Sequence, residues 1–129
     1  MHTQVVRGFE RLLAAARAVV APRQLTESAV CGTVGAAIET ATGDVFVGVC
    51  VDTASSLGFC AEHSAAAAML TAGQSEIVRM VAVDRHGAVL APCGRCREFV
   101  IQLDEANADT LVMTDLDSSI ALRELLPFR

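Results

Sequence analysis

Two short stretches constrain this chain more than anything else in it. Cys60-Ala61-Glu62 and Pro92-Cys93-Gly94-Arg95-Cys96-Arg97-Glu98 each place sulfur where a helix opens. Pro92 fixes φ and lacks an N–H, which suits a helix's opening turn, and Phe99, Val100, Ile101 and Leu103 continue that helix with amphipathic spacing. Cys93 and Cys96, three positions apart, stand about 60° apart around its axis, so both thiols can face one metal ion. Unpaired N–H groups at a helix start also favour thiolates. Upstream, Ala61 to Ala72 is a run of good helix formers after Gly58 and Phe59, which puts Cys60 at a second helix start. Two such tips can meet over one tetrahedral zinc ion, held by Cys60, Cys93 and Cys96, with a fourth position open as in a catalytic zinc site. Glu62 lies about 200° around the helix from Cys60 and is not placed to ligate, yet it can bend toward the open position and carry protons beside the metal.

Cys-Ala-Glu followed by Pro-Cys-Gly-x-Cys-Arg resembles the small zinc-dependent cytidine deaminases and their relatives, the blasticidin S deaminases. The resemblance runs from about Val34 to Pro127, through Val34-Gly35-Ala36-Ala37 and Arg123-Glu124-Leu125-Leu126-Pro127. It implies an α/β fold, a three-layer α/β/α sandwich around a mixed sheet of roughly five strands. It further implies one zinc ion per subunit, hydrolytic release of ammonia from a cytosine-type nucleoside or a related amino-heterocycle, and a homotetramer. Enzymes of this kind hold the ribose hydroxyls with Asn-x-Glu, and the matching residues here are Cys50 and Asp52. Asp52 can still accept hydroxyl hydrogen bonds through a shorter arm, whereas Cys50 is a poor substitute for an amide. Cys50, Asp52 and Ala61 are therefore the implied substrate-contacting positions. Two further residues depart from the pattern. Gly32 stands where an aromatic ring is usual, and His63 stands where an Arg usually supports the thiolates. Blasticidin S deaminases share the Pro-Cys-Gly-Arg-Cys-Arg stretch and also lack the ribose-binding Glu, so blasticidin S and modified bases stay open as substrates. For Cys50 and Cys31 the plain alternative is a small buried hydrophobe.

Composition narrows the partners. With 129 residues, 53% hydrophobic and 19% charged, the chain is expected to form a single domain over 1–129 with a well-filled core. A net charge of -5 disfavours nucleic acid, since phosphate contacts need clustered cations. The absence of Lys removes Schiff-base chemistry and a Walker-type loop, and without Tyr or Trp few rings remain for a single strand to stack on. A free small molecule is the expected substrate. Five cysteines, an odd number, point to metal or redox use in a reducing compartment, hence the cytoplasm. No apolar run reaches the ~18 residues of a membrane span, and no membrane partner is expected. Two rival readings of the cysteines remain at this stage. One is a structural zinc with His63 or His86 as fourth ligand, and the other is a thioredoxin-like dithiol at Cys93 and Cys96.

In chain order, the periodicity predicts a helix over 3–20, a strand over Val30 to Glu39, and a turn at Thr42-Gly43-Asp44 that joins it to a second strand, Val45 to Val51, as a hairpin. The polar loop Asp52 to Gly58 leads into the first cysteine helix. That helix is apolar nearly all round, which predicts burial on more than one side and contacts between subunits. Ile77 to Val83 reads as a central strand, so strand, helix and strand form a right-handed crossover with the zinc at the strands' C-terminal edge. His86 falls in a surface turn. Asp109 to Met113 is a fourth strand, Ile120 belongs to a short fifth, and Ala121 to Leu126 is a brief terminal helix. By the same resemblance, Phe128 is the residue positioned to reach a neighbouring subunit's pocket.

Overall fold

The computed structural model describes residues 4–129. Its centre is the strand Ala29–Thr40 (β2), whose residues Ala36, Ala37 and Ile38 are wholly buried because strands flank it and helices cover both of its faces. Along one edge runs Val45–Thr53 (β3), antiparallel, as the Thr42-Gly43-Asp44 turn predicted. The other edge is shared by Arg23–Thr26 (β1) near the start of β2 and by Ile77–Val83 (β4) over Gly35 to Thr40. Leu111–Asp115 (β6) then pairs parallel with β4, Ser118–Ala121 (β7) closes that side, and Val89–Leu90 (β5) adds a short ladder to β4. The result is a mixed sheet of seven strands.

Alternation along the strands divides the side chains between two layers. Ile38, Met80 and Val112 face the helices Ala61–Thr71 (α2) and Gly94–Leu103 (α3), packing with Ala65, Ala66, Met69 and Val100. Ala37, Val81 and Met113 point the other way, onto Phe9, Leu12, Leu13 and Ala16 around Glu10–Val19 (α1). This is the expected three-layer sandwich, and the crossover is there too: β3 and β4 both lie antiparallel to β2, and α2 connects them.

Several boundaries differ from expectation. The first helix begins at Glu10 rather than residue 3, because residues 6–9 close a turn in which the Phe9 N–H meets the Val6 carbonyl at 3.2 Å; residue 3 lies outside the described residues. The two unforeseen strands raise the count from five to seven. β1 (Arg-Gln-Leu-Thr) is exposed throughout and carries no apolar alternation, and β5 is only two residues long. The fourth expected strand starts at Leu111 instead of Asp109, since Glu105–Asp109 winds into a 3₁₀ turn capped by the Asp104 carboxylate, which accepts from the Ala106 N–H at 3.0 Å. The terminal helix shrinks to a 3₁₀ turn, Leu122–Leu125. α2 is buried on one side only within a single chain, leaving Ala67, Ala68 and Leu70 exposed.

One buried amide ties the helix layer to the sheet. Asn107, with no exposed surface, accepts the Ile77 N–H at 2.8 Å and donates to the carbonyls of Ser75 and Val100 at 3.0 Å each. Removing it strands buried backbone groups that nothing else reaches. Asn107→Ala is expected to destabilise the fold by about 3 kcal/mol, read as a lowered urea midpoint with an unchanged slope.

Candidate active site and metal centre

The two predicted helix tips do converge. Cys60 is the N-cap of α2 and Cys93 the N-cap of α3, both with extended backbone (ψ 158° and 166°), and Cys96 sits in the first turn of α3. Pro92 stands one residue before the cap rather than inside the helix, and its carbonyl accepts from Arg97 Nε at 2.8 Å. The α2 tip is fixed from the sheet side. Phe59 exchanges hydrogen bonds with Val51 at 2.9 and 3.0 Å, closing the loop after β3, and Gly58 allows it because a Cβ there would lie 1.9 Å from the Val51 carbonyl oxygen.

The three sulfur donors lie within 4.8 Å of one another, with Cys60 and Cys93 3.7 Å apart and Cys93 and Cys96 3.4 Å apart. Tetrahedral zinc–sulfur bonds of ~2.3 Å put neighbouring sulfurs about 3.8 Å apart, so the cluster has the dimensions of three corners of such a site. Its electrostatics call for a cation. Burial, the Glu62 charge and the other two thiols push the Cys96 thiol far up, and burial also raises Cys60. Only Cys93 is brought down: burial acts against ionisation there, but the N–H of Cys96, the neighbouring thiols and the N–H of Arg95 outweigh it. Three thiols and a carboxylate cannot all ionise in one place without a positive ion among them. The residues therefore fit a divalent ion of zinc's softness, and Cys60, Cys93 and Cys96 could hold it.

Glu62 lies beside the cluster, 5% exposed, and burial raises its carboxyl above the ordinary range. It helps line a cleft of about 530 Å³ at the C-terminal edge of β3 and β4, a size that suits a small molecule. Cys50, Asp52 and Ala61 all line that cleft. Cys50 is buried, as the plain reading held, but its sulfur has polar work: it accepts the Val34 N–H at 3.3 Å, touches Thr33 Oγ1 at 3.1 Å and lies 3.7 Å from an Asp52 carboxylate oxygen. Thr33 and Arg95 also line the cleft. Neither stands out in the sequence, because a β-bulge aims Thr33 and the fold alone brings Arg95 into one lining with residues of β3.

The histidines do not complete the metal site. His63 stacks on Phe99 with centroids 4.1 Å apart and planes 16° apart, and its Nδ1 reaches Cys96 Sγ at 3.5 Å, yet it is not among the donors clustered with all three sulfurs. His86 is exposed in the turn after β4. Among the described residues the fourth corner thus has no imidazole. The third sulfur, Cys60, likewise sets the Cys93–Cys96 pair apart from an isolated dithiol.

Comparison with known proteins agrees with this geometry. Residues 9–113 match the family described as the cytidine and deoxycytidylate deaminase zinc-binding region. The chain is 39% identical over 70 residues to a cytidine deaminase of Mycobacterium tuberculosis, a match that covers 54% of this chain and 53% of that protein, so it spans about half of that relative's length. It is 30% identical over 108 residues to a blasticidin-S deaminase of Bacillus cereus, covering 74% and 75%. Its fold superposes on the crystal structure of the M. tuberculosis cytidine deaminase with a TM-score of 0.78 at 29% identity, over 94% of this chain and 95% of that one. The Mycobacterium leprae cytidine deaminase gives 0.78 at 29%, over 93% and 98%.

Two substitutions test the cluster. Cys96→Ser is expected to abolish stoichiometric zinc in the purified protein, measured by atomic absorption. His63→Ala removes a ring nitrogen that faces one sulfur and should weaken zinc binding by about 10- to 100-fold, measured by competition with a chelator.

Proposed function

The chain belongs to the cytidine and deoxycytidylate deaminase family, and from that premise we propose that it is a zinc-dependent aminohydrolase releasing ammonia from a free cytosine-type nucleoside. The observation that carries this reading is a buried carboxylate, Glu62, lining the same cleft as Cys60 and Cys93, two of the three sulfurs that could hold one metal ion. Zinc bound by Cys60, Cys93 and Cys96 would supply the Lewis acidity that makes a water molecule acidic near neutral pH, moderated by the negative charge of three thiolates. Glu62 accepts that water's proton on a carboxylate oxygen and delivers it to the ring nitrogen beside the amino-bearing carbon, as the water oxygen adds to that carbon. Glu62 next takes up the second proton of the added hydroxyl and passes it to the amine. The carbon–nitrogen bond breaks, ammonia leaves and a carbonyl remains. The raised proton affinity that burial gives Glu62 suits a group that must both accept and return protons. The Asp52 carboxylate accepts hydrogen bonds from hydroxyls of the sugar.

A second substrate reading, a blasticidin S-type amino-heterocycle, has its own support. The match to a blasticidin-S deaminase covers about three quarters of each chain, and Cys50 and Asp52 stand where a nucleoside site would offer Asn and Glu. Ammonia release across cytidine, deoxycytidine, blasticidin S and free bases separates the two; release from none of them contradicts the aminohydrolase reading. Glu62→Gln is expected to retain zinc and lose at least about 10³-fold in turnover, and a near-normal rate excludes the mechanism.

The same premise suggests a homotetrameric enzyme of the cytoplasm. Ala67, Ala68 and Leu70 leave one face of α2 apolar and open, and Phe128 is fully exposed for a contact with a neighbouring copy. The five cysteines are unpaired, as a reducing compartment keeps them. No described helix is long and apolar enough to cross a membrane. Leu70→Arg should shift sedimentation from tetramer to smaller species; an unchanged profile places the subunit contact elsewhere.

A further inference from the structure

One cation lines the cleft, and the deamination chemistry makes no use of it. Arg95 stands exposed in the first turn of α3, in the same lining as Glu62, Cys60 and Asp52. Its guanidinium has no ion-pair partner among the described residues, whereas Arg79, Arg123 and Arg129 are matched with Glu39, Asp109 and Glu98. Arg97, two positions on, is committed to the carbonyls of Pro92 and Leu125. Arg95 lies between Cys93 and Cys96, at the tip of the helix that carries two of the three sulfurs. The β3 side of the cleft carries the opposite equipment, with the Asp52 carboxylate and the Thr33 hydroxyl beside Cys50 as acceptors for hydroxyl groups.

A neutral nucleoside leaves this arginine idle. A ligand with an acid group needs it, because everything else charged in the lining is negative and the chain as a whole carries -5. Resting on the deaminase reading above, we propose that the amino-heterocycle this cleft prefers bears a hydroxylated substituent with a terminal acid group, and that Arg95 is the residue that selects that group. A guanidinium meets a carboxylate or a phosphate through two parallel N–H donors, so it binds either acid directionally. The hydroxyls of the substituent fall to Asp52, and the amino-bearing ring to the metal cluster and Glu62. A competing role for Arg95, as counter-charge to the thiolates, would register in zinc affinity instead of ligand preference.

Equilibrium binding tests this apart from turnover. The zinc-loaded Glu62→Gln protein is titrated by calorimetry with cytidine, cytidine 5′-phosphate and the cytosine nucleoside carrying a 5′-carboxylate. At least one acid should bind about tenfold more tightly than cytidine, with the tighter of the two naming the acid. Adding Arg95→Gln should erase that preference, and Arg95→Lys should restore it better for phosphate than for carboxylate. Cytidine binding as tightly as both acids, or a preference that survives Arg95→Gln, overturns the inference, as does a variant that loosens zinc and leaves the preference intact. Ammonia release by the unmodified protein is read on the same three compounds. An acid preference without ammonia from any of them would sink the deaminase reading and keep the acid site. Ammonia with no acid preference would do the reverse.

Discussion

Three thiols crowd within 4.8 Å of one another beside a buried carboxylate, and folding brings them there without any protein cation among the clustered donors. Left alone, such a group holds its protons, through burial first and mutual repulsion second, which is why Cys96 and Cys60 resist ionisation while Cys93, facing the N–H groups of the α3 tip, does not. A divalent ion reverses the balance, because ionised sulfur is then the favoured form. The fold and the ion are thus coupled through charge. The nearby groups that temper it, His63 against Cys96 and the N–H dipoles at both helix caps, are all weaker than the ion itself.

Holding that cluster together is the business of the sheet. β3 and β4 run the same way with β2 between them, so both end at one edge, and each is followed by chain that must turn back into a cysteine-capped helix. The Val51–Phe59 hydrogen bonds fix where α2 begins, and Gly58 makes that approach sterically open. At the opposite end of the helix layer, Asn107 joins the end of α3 to the start of β4. The sulfurs are thus positioned by connections at the start of α2 and near the end of α3.

Much of this was legible in the residues. The cysteine helices, the hairpin and the central strand all follow from local rules, since Thr42-Gly43-Asp44 dictates a turn and Ile77 to Val83 is apolar enough to be buried on both faces. What the sequence hid is what tertiary contact creates. β1 forms because the start of β2 offers it a pairing edge, although Arg-Gln-Leu-Thr has no strand-like alternation of its own. The stacking of His63 on Phe99 joins residues of different helices, and no spacing rule announces it. Arg95 was hidden for the same reason. Within its own stretch it is merely the variable position between two cysteines.

Two departures from the usual deaminase pattern, Gly32 and Cys50, meet at one irregularity of the sheet. Gly32 adopts a φ of 81° at the break in register between β2 and β3, and a side chain there would meet the Ala21 carbonyl oxygen at 2.2 Å, so no aromatic ring can occupy the position. The same bulge turns the Val34 N–H and the Thr33 hydroxyl onto Cys50, whose sulfur is small enough to receive both beneath Asp52. A longer amide at position 50 would have to displace those contacts, and a ring at position 32 would have to displace the chain around Ala21. Thr33, Cys50 and Asp52 are thus held in one arrangement by the bulge beside them, and the wall they form is a different one from a site that offers Asn and Glu.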